Sequence, residues 1–146
     1  MDIRIKNLSV SFPLPKGEAK VLRDADIILK SGKITAIVGE SGSGKSILGA
    51  AVMGLLEQPV RVSGKILFGD TDLLSLSEKE LDSVRGSRIG WIAQDPVAAM
   101  DPMMKVGGQM MEGVHFYQDG KDTKADGLRQ MEEFGLADAP HVWLSL

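Results

Sequence analysis

Gly39-Glu40-Ser41-Gly42-Ser43-Gly44-Lys45-Ser46 spells a complete phosphate-binding loop, G-x-x-x-x-G-K-S, and its reading decides the fold. Glycines let the backbone adopt left-handed and crowded conformations, so that successive N–H groups turn inward onto phosphate oxygens. Lys45 then reaches the β- and γ-phosphates, and the Ser46 hydroxyl can ligate Mg²⁺. A helix starting here adds roughly half a positive charge aimed at the same phosphates. The expected binding set is therefore the run Gly39, Glu40, Ser41, Gly42, Ser43, Gly44, Lys45, Ser46 and Ile47.

The flanks suit the motif. Lys33-Ile34-Thr35-Ala36-Ile37-Val38 is short, apolar and β-branched, as a buried parallel strand should be. Ile47 to Leu56 is apolar nearly all round, as a helix buried between sheet and neighbours should be. A Gly/Ser linker that merely contains a lysine would lack this strand–loop–helix setting. The chain is expected to bind a nucleoside triphosphate with Mg²⁺.

Composition sets the outer bounds. The 146 residues suffice for a single domain with its own core. A net charge of −3 gives no electrostatic case for nucleic acid. The absence of cysteine excludes disulfides and thiolate metal sites. No stretch is long enough to span a bilayer and no leader pattern opens the chain, so membrane association is expected through a partner.

Along the chain, Ile3, Ile5, Leu8 and Val10 give a half-buried strand pattern, and Pro13, Pro15 and Gly17 are expected to break it into a loop. Further strands are expected at 21–29, at 62–70 ending in a Gly-Asp turn, and at 87–93 closed by Gln94-Asp95-Pro96. Ser77-Glu78-Lys79-Glu80 is a capping box opening a short helix that ends near Arg85-Gly86. Later, Asp122 or Thr123 would cap a helix with Ala125, Leu128, Met131 and Phe134 on one face, stopped by Gly135. The expected division is a β-rich nucleotide-binding core at 1–94 and a partial helical region at 95–146.

With these residues in register, "VGESGSGKS" and "LSLSEKELDSVRGSRIGWIAQDPVAAMDPMMKVGGQ" resemble the ATP-binding subunits of ABC transporters. Within them the likeness is to the dipeptide, oligopeptide and nickel importers. The resemblance runs from the first strand to about Pro140. It implies an α/β P-loop NTPase core with an N-terminal antiparallel β-subdomain and the start of a helical subdomain, an incomplete cassette.

By the same resemblance Gln94 is the Q-loop glutamine, which approaches Mg²⁺ and the attacking water; by position alone it is a surface residue at a strand end. Phe12 is the aromatic that stacks on adenine, with a packed strand-end ring as the alternative. Methionines 100, 103, 104, 110 and 111 border the groove that receives a cytoplasmic helix of the permease, or else form plain core. The implied assembly pairs this subunit with a second ATPase subunit and two permease subunits. It lies at the cytoplasmic face of the bacterial inner membrane, peripheral through the permease.

The family's signature segment, its Asp-Glu strand and its switch histidine cannot be placed in the sequence. The runs ending at Asp70 and Asp95 are not followed by Glu, and His115 and His141 fit neither a switch position nor a paired metal site. The expectation is an N-terminal portion that holds ATP without turning it over. Lacking the Asp-Glu strand, the phosphate-loop strand would expose an edge, making the chain marginal or oligomeric. Two other readings stay open: a complete, non-catalytic regulatory nucleotide sensor, and a small P-loop phosphotransferase with Asp70 or Asp95 on Mg²⁺.

Overall fold

The computed structural model describes residues 1–95, 99–117, 124–136 and 138–145, with the backbone alone for 113–117. Pro96, Asp122 and Thr123 lie outside the described residues. The chain divides into two compact units, Met1–Asp82 and Ser83–Leu146.

The first unit is built on a four-stranded antiparallel sheet in the order β2-β1-β3-β4. Its strands are β1 (Ile3–Leu14), β2 (Gly17–Leu29), β3 (Arg61–Phe68) and β4 (Thr71–Asp72). The apolar residues of β1 switch parity, from Ile3 and Ile5 to Leu8 and Val10, and a regular strand would send the two pairs to opposite faces. A bulge resolves the conflict. The register slips between Ile5 and Leu8, and Asn7 takes φ 48° with its N–H donating to Asp26 Oδ1 at 3.0 Å. Ile5, Leu8 and Val10 are consequently all buried.

Gly64 of β3 faces that bulge. A Cβ there would meet Lys6 O at 2.6 Å and the Asn7 carbonyl, and its φ of 101° already excludes ordinary side chains. The loop expected from Pro13 is instead strand, since Leu14 pairs with Gly17 across a two-residue Pro15-Lys16 turn. The proline is tolerated because β3 reaches only Ser11, leaving β1 one neighbour beyond that point.

Helix α1 (Lys45–Met53) lies against β2 and buries Leu48, Ala51, Val52 and Met53. It stops three residues short of the expected Leu56 because Gly54 turns left-handed at φ 64°. The Gly54 and Leu55 N–H groups close back on Ala51 O and Ala50 O at 3.1 and 2.8 Å. Past the Gly69-Asp70 turn and β4, a 3₁₀ turn (Leu73–Ser75) leads to α2 (Glu78–Asp82). The capping box is formed: Glu80 Oε2 accepts from Ser77 N at 2.8 Å and from Ser77 Oγ at 2.6 Å. The helix ends at Asp82 rather than near Arg85.

Two expected strands are missing from any ladder. Residues 34–40 carry no regular structure, and Ile34 and Val38 are 102% and 91% exposed. The segment 87–93 shows only an isolated bridge between Arg85 and Ile89, with Ile92 94% exposed. A parallel strand takes its backbone hydrogen bonds from neighbours on both sides. Among the described residues no strand pairs with either segment.

The second unit is helical: α3 (Val106–Tyr117), α4 (Lys124–Glu133) and α5 (Ala139–Leu144). Met131, Ala139 and Trp143 form its core, with Val106, Met110, Met111, Leu128 and Val142 packed around them. The Trp143 indole lies in a notch made by two glycines. A Cβ on Gly127 would stand 2.5 Å from its Cζ3, and one on Gly107 would overlap the ring. Of the four residues expected on the inward face of α4, Leu128 and Met131 are packed. Ala125 is exposed and Phe134, past the end of the helix, is 88% exposed. Gly135 stops the helix as expected, at φ 86°.

Candidate functional site

The phosphate loop belongs to the first unit. Gly42 and Gly44 take φ 78° and 91°, conformations that only glycine holds without strain. Gly44 is the N-cap of α1 and supplies no side-chain cap. Leu48 N is the first of the helix to find an acceptor, Gly44 O at 2.9 Å. The N–H groups of Lys45, Ser46 and Ile47 thus point out of the helix start without a protein acceptor among the described residues. Donors left free in this way, at the positive end of a nine-residue helix, are what an anion needs. The fit to a polyphosphate rests on them.

Lys45 is folded back over the loop. Its Nζ donates to Gly39 O at 2.8 Å, to Glu40 O at 2.6 Å and to Ser43 Oγ at 3.2 Å. All three of its protons are therefore placed on the loop itself, which holds the ammonium inside the ring of residues 39–46. A Cβ on Gly39 would fall 2.8 Å from Ser43 Oγ, so the first glycine makes room for that serine. Ser41 and Ser46 are exposed. A bound nucleotide would offer Lys45 better acceptors than these carbonyls, because anionic phosphate oxygens add a charge–charge attraction that a neutral carbonyl lacks.

Phe12 is half-buried in β1 opposite Ala19 of β2. Gly44 is seated a little further along the same strand, against Val21 O and the Leu22 side chain. One stretch of β2, Ala19 to Leu22, therefore carries both the candidate adenine platform and the candidate phosphate cradle. Register alone could not reveal this from sequence, since the link runs through a bulge between Val10 and Ser11.

Gln94 belongs to the second unit. It is exposed, and its carboxamide takes no protein partner among the described residues. Asp70 sits in the turn between β3 and β4, and no group of three His, Asp or Glu converges on a metal position among the described residues. The five methionines separate. Met110 and Met111 pack against the Trp143 core, Met104 is half-buried, and Met100 and Met103 are 42% and 86% exposed.

Sequence reasoning passed over Gln109. Its Oε1 accepts from Asp101 N at 3.0 Å, and its Nε2 donates to Asp101 O at 2.9 Å and to Met104 O at 2.7 Å. A glutamine in the first turn of a helix carries no spacing signal that would have identified this.

Comparison with known proteins follows the same lines. A family model described as ABC transporter matches residues 22–144. The chain is 37% identical to a dipeptide transport ATP-binding protein of Lactococcus lactis, over 97% of this chain and 44% of that protein. It is 41% identical to an oligopeptide transport ATP-binding protein of Bacillus subtilis, over 94% of this chain and 39% of that one. The chain thus spans about two-fifths of the length of these relatives. Its fold superposes on the dimeric structure of a bacterial ABC transporter cassette with a TM-score of 0.82 at 18% identity, covering 98% of this chain and 60% of that one. A post-hydrolysis state of such a cassette, bound to ADP and phosphate, gives 0.75 at 20% identity over 89% of this chain and 57% of that one. No helix of the described residues is long and apolar enough to cross a membrane. With the phosphate loop, the β-subdomain and the family match in agreement, the chain belongs to the ABC transporter family, and its fold is part of that family's ATP-binding cassette.

Proposed function

We propose that this chain is the nucleotide-holding portion of an importer ATPase for dipeptides or oligopeptides. It would work as a pair with a second ATPase subunit, beneath two permease subunits at the cytoplasmic face of the bacterial inner membrane. The observation that carries the reading is the free N–H set of Lys45, Ser46 and Ile47 at the start of α1, with the Lys45 ammonium held among the same loop residues. Peptide cargo is favoured by the names of the relatives; nickel, which the sequence resemblance also admits, is not among those names.

In this reading residues 1–94 hold ATP and residues 95–146 relay its presence. Phe12 presents a ring to adenine. Gly39 to Ile47 line the phosphates, Lys45 neutralises charge on the outer two, and the Ser46 hydroxyl helps hold Mg²⁺. Gln94, exposed and without a protein partner among the described residues, would be the glutamine that serves the metal and the attacking water in the intact ATPase, as the family resemblance implies. The segment after Gln94 meets the permease. Mg²⁺, when bound, would supply charge stabilisation for phosphoryl transfer to water in the intact pair of ATPase subunits.

The test is Mg·ATP binding and turnover by the chain beside Lys45→Ala. Saturable binding that Lys45→Ala weakens at least about tenfold, without turnover, supports the proposal. Turnover that disappears in Lys45→Ala would replace it with a P-loop phosphotransferase, and Asp70 and Asp95 would be the next residues to change. Binding indifferent to Lys45 would end both.

A further inference from the structure

The segment between Asp101 and Met104 has no ladder and no helix of its own, yet its backbone is closely bonded. Asp101 is held through three groups. Its N–H donates to Gln109 Oε1, its carbonyl accepts from Gln109 Nε2, and its carboxylate oxygen Oδ1 accepts from Met103 N at 2.8 Å. The second Gln109 Nε2 proton goes to Met104 O at 2.7 Å, and Met104 N closes the turn on Asp101 O at 3.2 Å. One side chain from the start of α3 therefore fixes both ends of the turn.

The consequence is an in/out assignment of two adjacent methionines. Met104 turns inward, its methyl lying where a Cβ on Gly108 would meet it at 3.0 Å. Met103 turns outward and is 86% exposed. Only a carboxamide can do this. The site requires one acceptor and two donors in a planar fork, which a carboxylate lacks and which asparagine presents one methylene too short.

We infer that Gln109 is a positioning residue that locks Asp101–Met104 in one shape, with Met104 seated on Gly108 and Met103 presented to solvent in a fixed direction. What Met103 is presented to rests on the reading given above, in which the segment following Gln94 meets the permease. The lock itself is a property of this chain, without nucleotide or partner. A preformed apolar projection gives up less conformational freedom on docking than a loose loop does.

Methyl-labelled methionine and amide hydrogen exchange, observed by NMR on the whole chain, test this in Gln109→Ala, Gln109→Glu and Gln109→Asn. The lock predicts a shifted Met104 methyl resonance and a slowly exchanging Asp101 amide in the unsubstituted chain. All three variants should bring Met104 toward the position of the exposed Met103 and speed Asp101 exchange by about tenfold, the scale of one lost hydrogen bond. The melting of the Trp143 core and Lys45-dependent ATP binding should stay unchanged. Unchanged Met104 and Asp101 signals in folded Gln109→Ala would overturn the lock. So would loosening of the whole second unit in Gln109→Asn and Gln109→Glu alike, which would make Gln109 a general support. Neither result touches the nucleotide reading, which fails or stands on the Lys45 experiment.

Discussion

Gly44 is pressed against Leu22 so closely that a Cβ at position 44 would stand 2.7 Å from Leu22 Cδ2 and 3.2 Å from Val21 O. Gly42, two residues earlier, has nothing within 4 Å of the same construction. Both take positive φ, so alanine at either costs about 1–2 kcal/mol of backbone strain. Only at Gly44 does overpacking add about 1–3 kcal/mol more. Gly44→Ala should therefore lose the loop geometry and most nucleotide affinity, while Gly42→Ala stays folded and binds more weakly. Denaturant titrations of the two variants, with ATP binding alongside, read the difference.

The core of the second unit is small and depends on Trp143. Trp143→Ala should cost about 3–5 kcal/mol, the usual range for removing a large buried aromatic. Gly107→Ala and Gly127→Ala should each destabilise by about 1–3 kcal/mol because the indole has nowhere to move. Lys124, whose Nζ lies 5.9 Å from the ring centroid, contributes far less, and Lys124→Ala should fall within about 1 kcal/mol. Thermal melts followed by far-ultraviolet circular dichroism rank the four variants.

Acid should loosen the start of α2. The Ser77 hydroxyl, and then the Ser77 N–H, hold the Glu80 carboxyl below its ordinary value of 4.5. A carboxylate depressed in the folded state contributes stability that is fully present above its unfolded pKa and lost as pH falls through the folded one. The contribution is thus intact at neutral pH and begins to fade below about 4.5. Glu80→Gln should flatten that part of the pH–stability curve. A wild-type slope in Glu80→Gln would remove the capping box from the account.

Ile34 and Val38 are nearly fully exposed on a segment that has no ladder partner among the described residues, so apolar side chains and backbone donors lie open together. Such an edge recruits other chains. The chain should associate with rising concentration, and Ile34→Lys with Val38→Thr should reduce that association without disturbing the antiparallel sheet. Sedimentation velocity at several concentrations decides; a single monomer boundary throughout would contradict it.

The legible parts of this chain were those whose cause is local. Gly39 to Ser46 announced a phosphate loop because each position has its own backbone task, whereas Ile3, Ile5, Leu8 and Val10 were read as one plain strand, and the bulge between Ile5 and Leu8 came only from the structure. The stop at Gly54 was missed because an apolar run suggests more helix than a left-handed glycine permits. The strands at 33–38 and 87–93 could not be judged from their own residues, since a parallel ladder is a property of its neighbours. Gln109 was invisible for a different reason: its partners are backbone atoms, which every sequence has.

The glycine notch around Trp143 has an optical consequence. The two indoles of this chain live in opposite surroundings, Trp143 8% exposed among glycines and methionines and Trp91 48% exposed on an open segment. Water relaxes around one excited ring and is kept from the other. The second unit therefore carries its own pair of fluorophores, a blue-emitting gauge of its packing and a red-emitting gauge of whatever comes to cover residues 87–93.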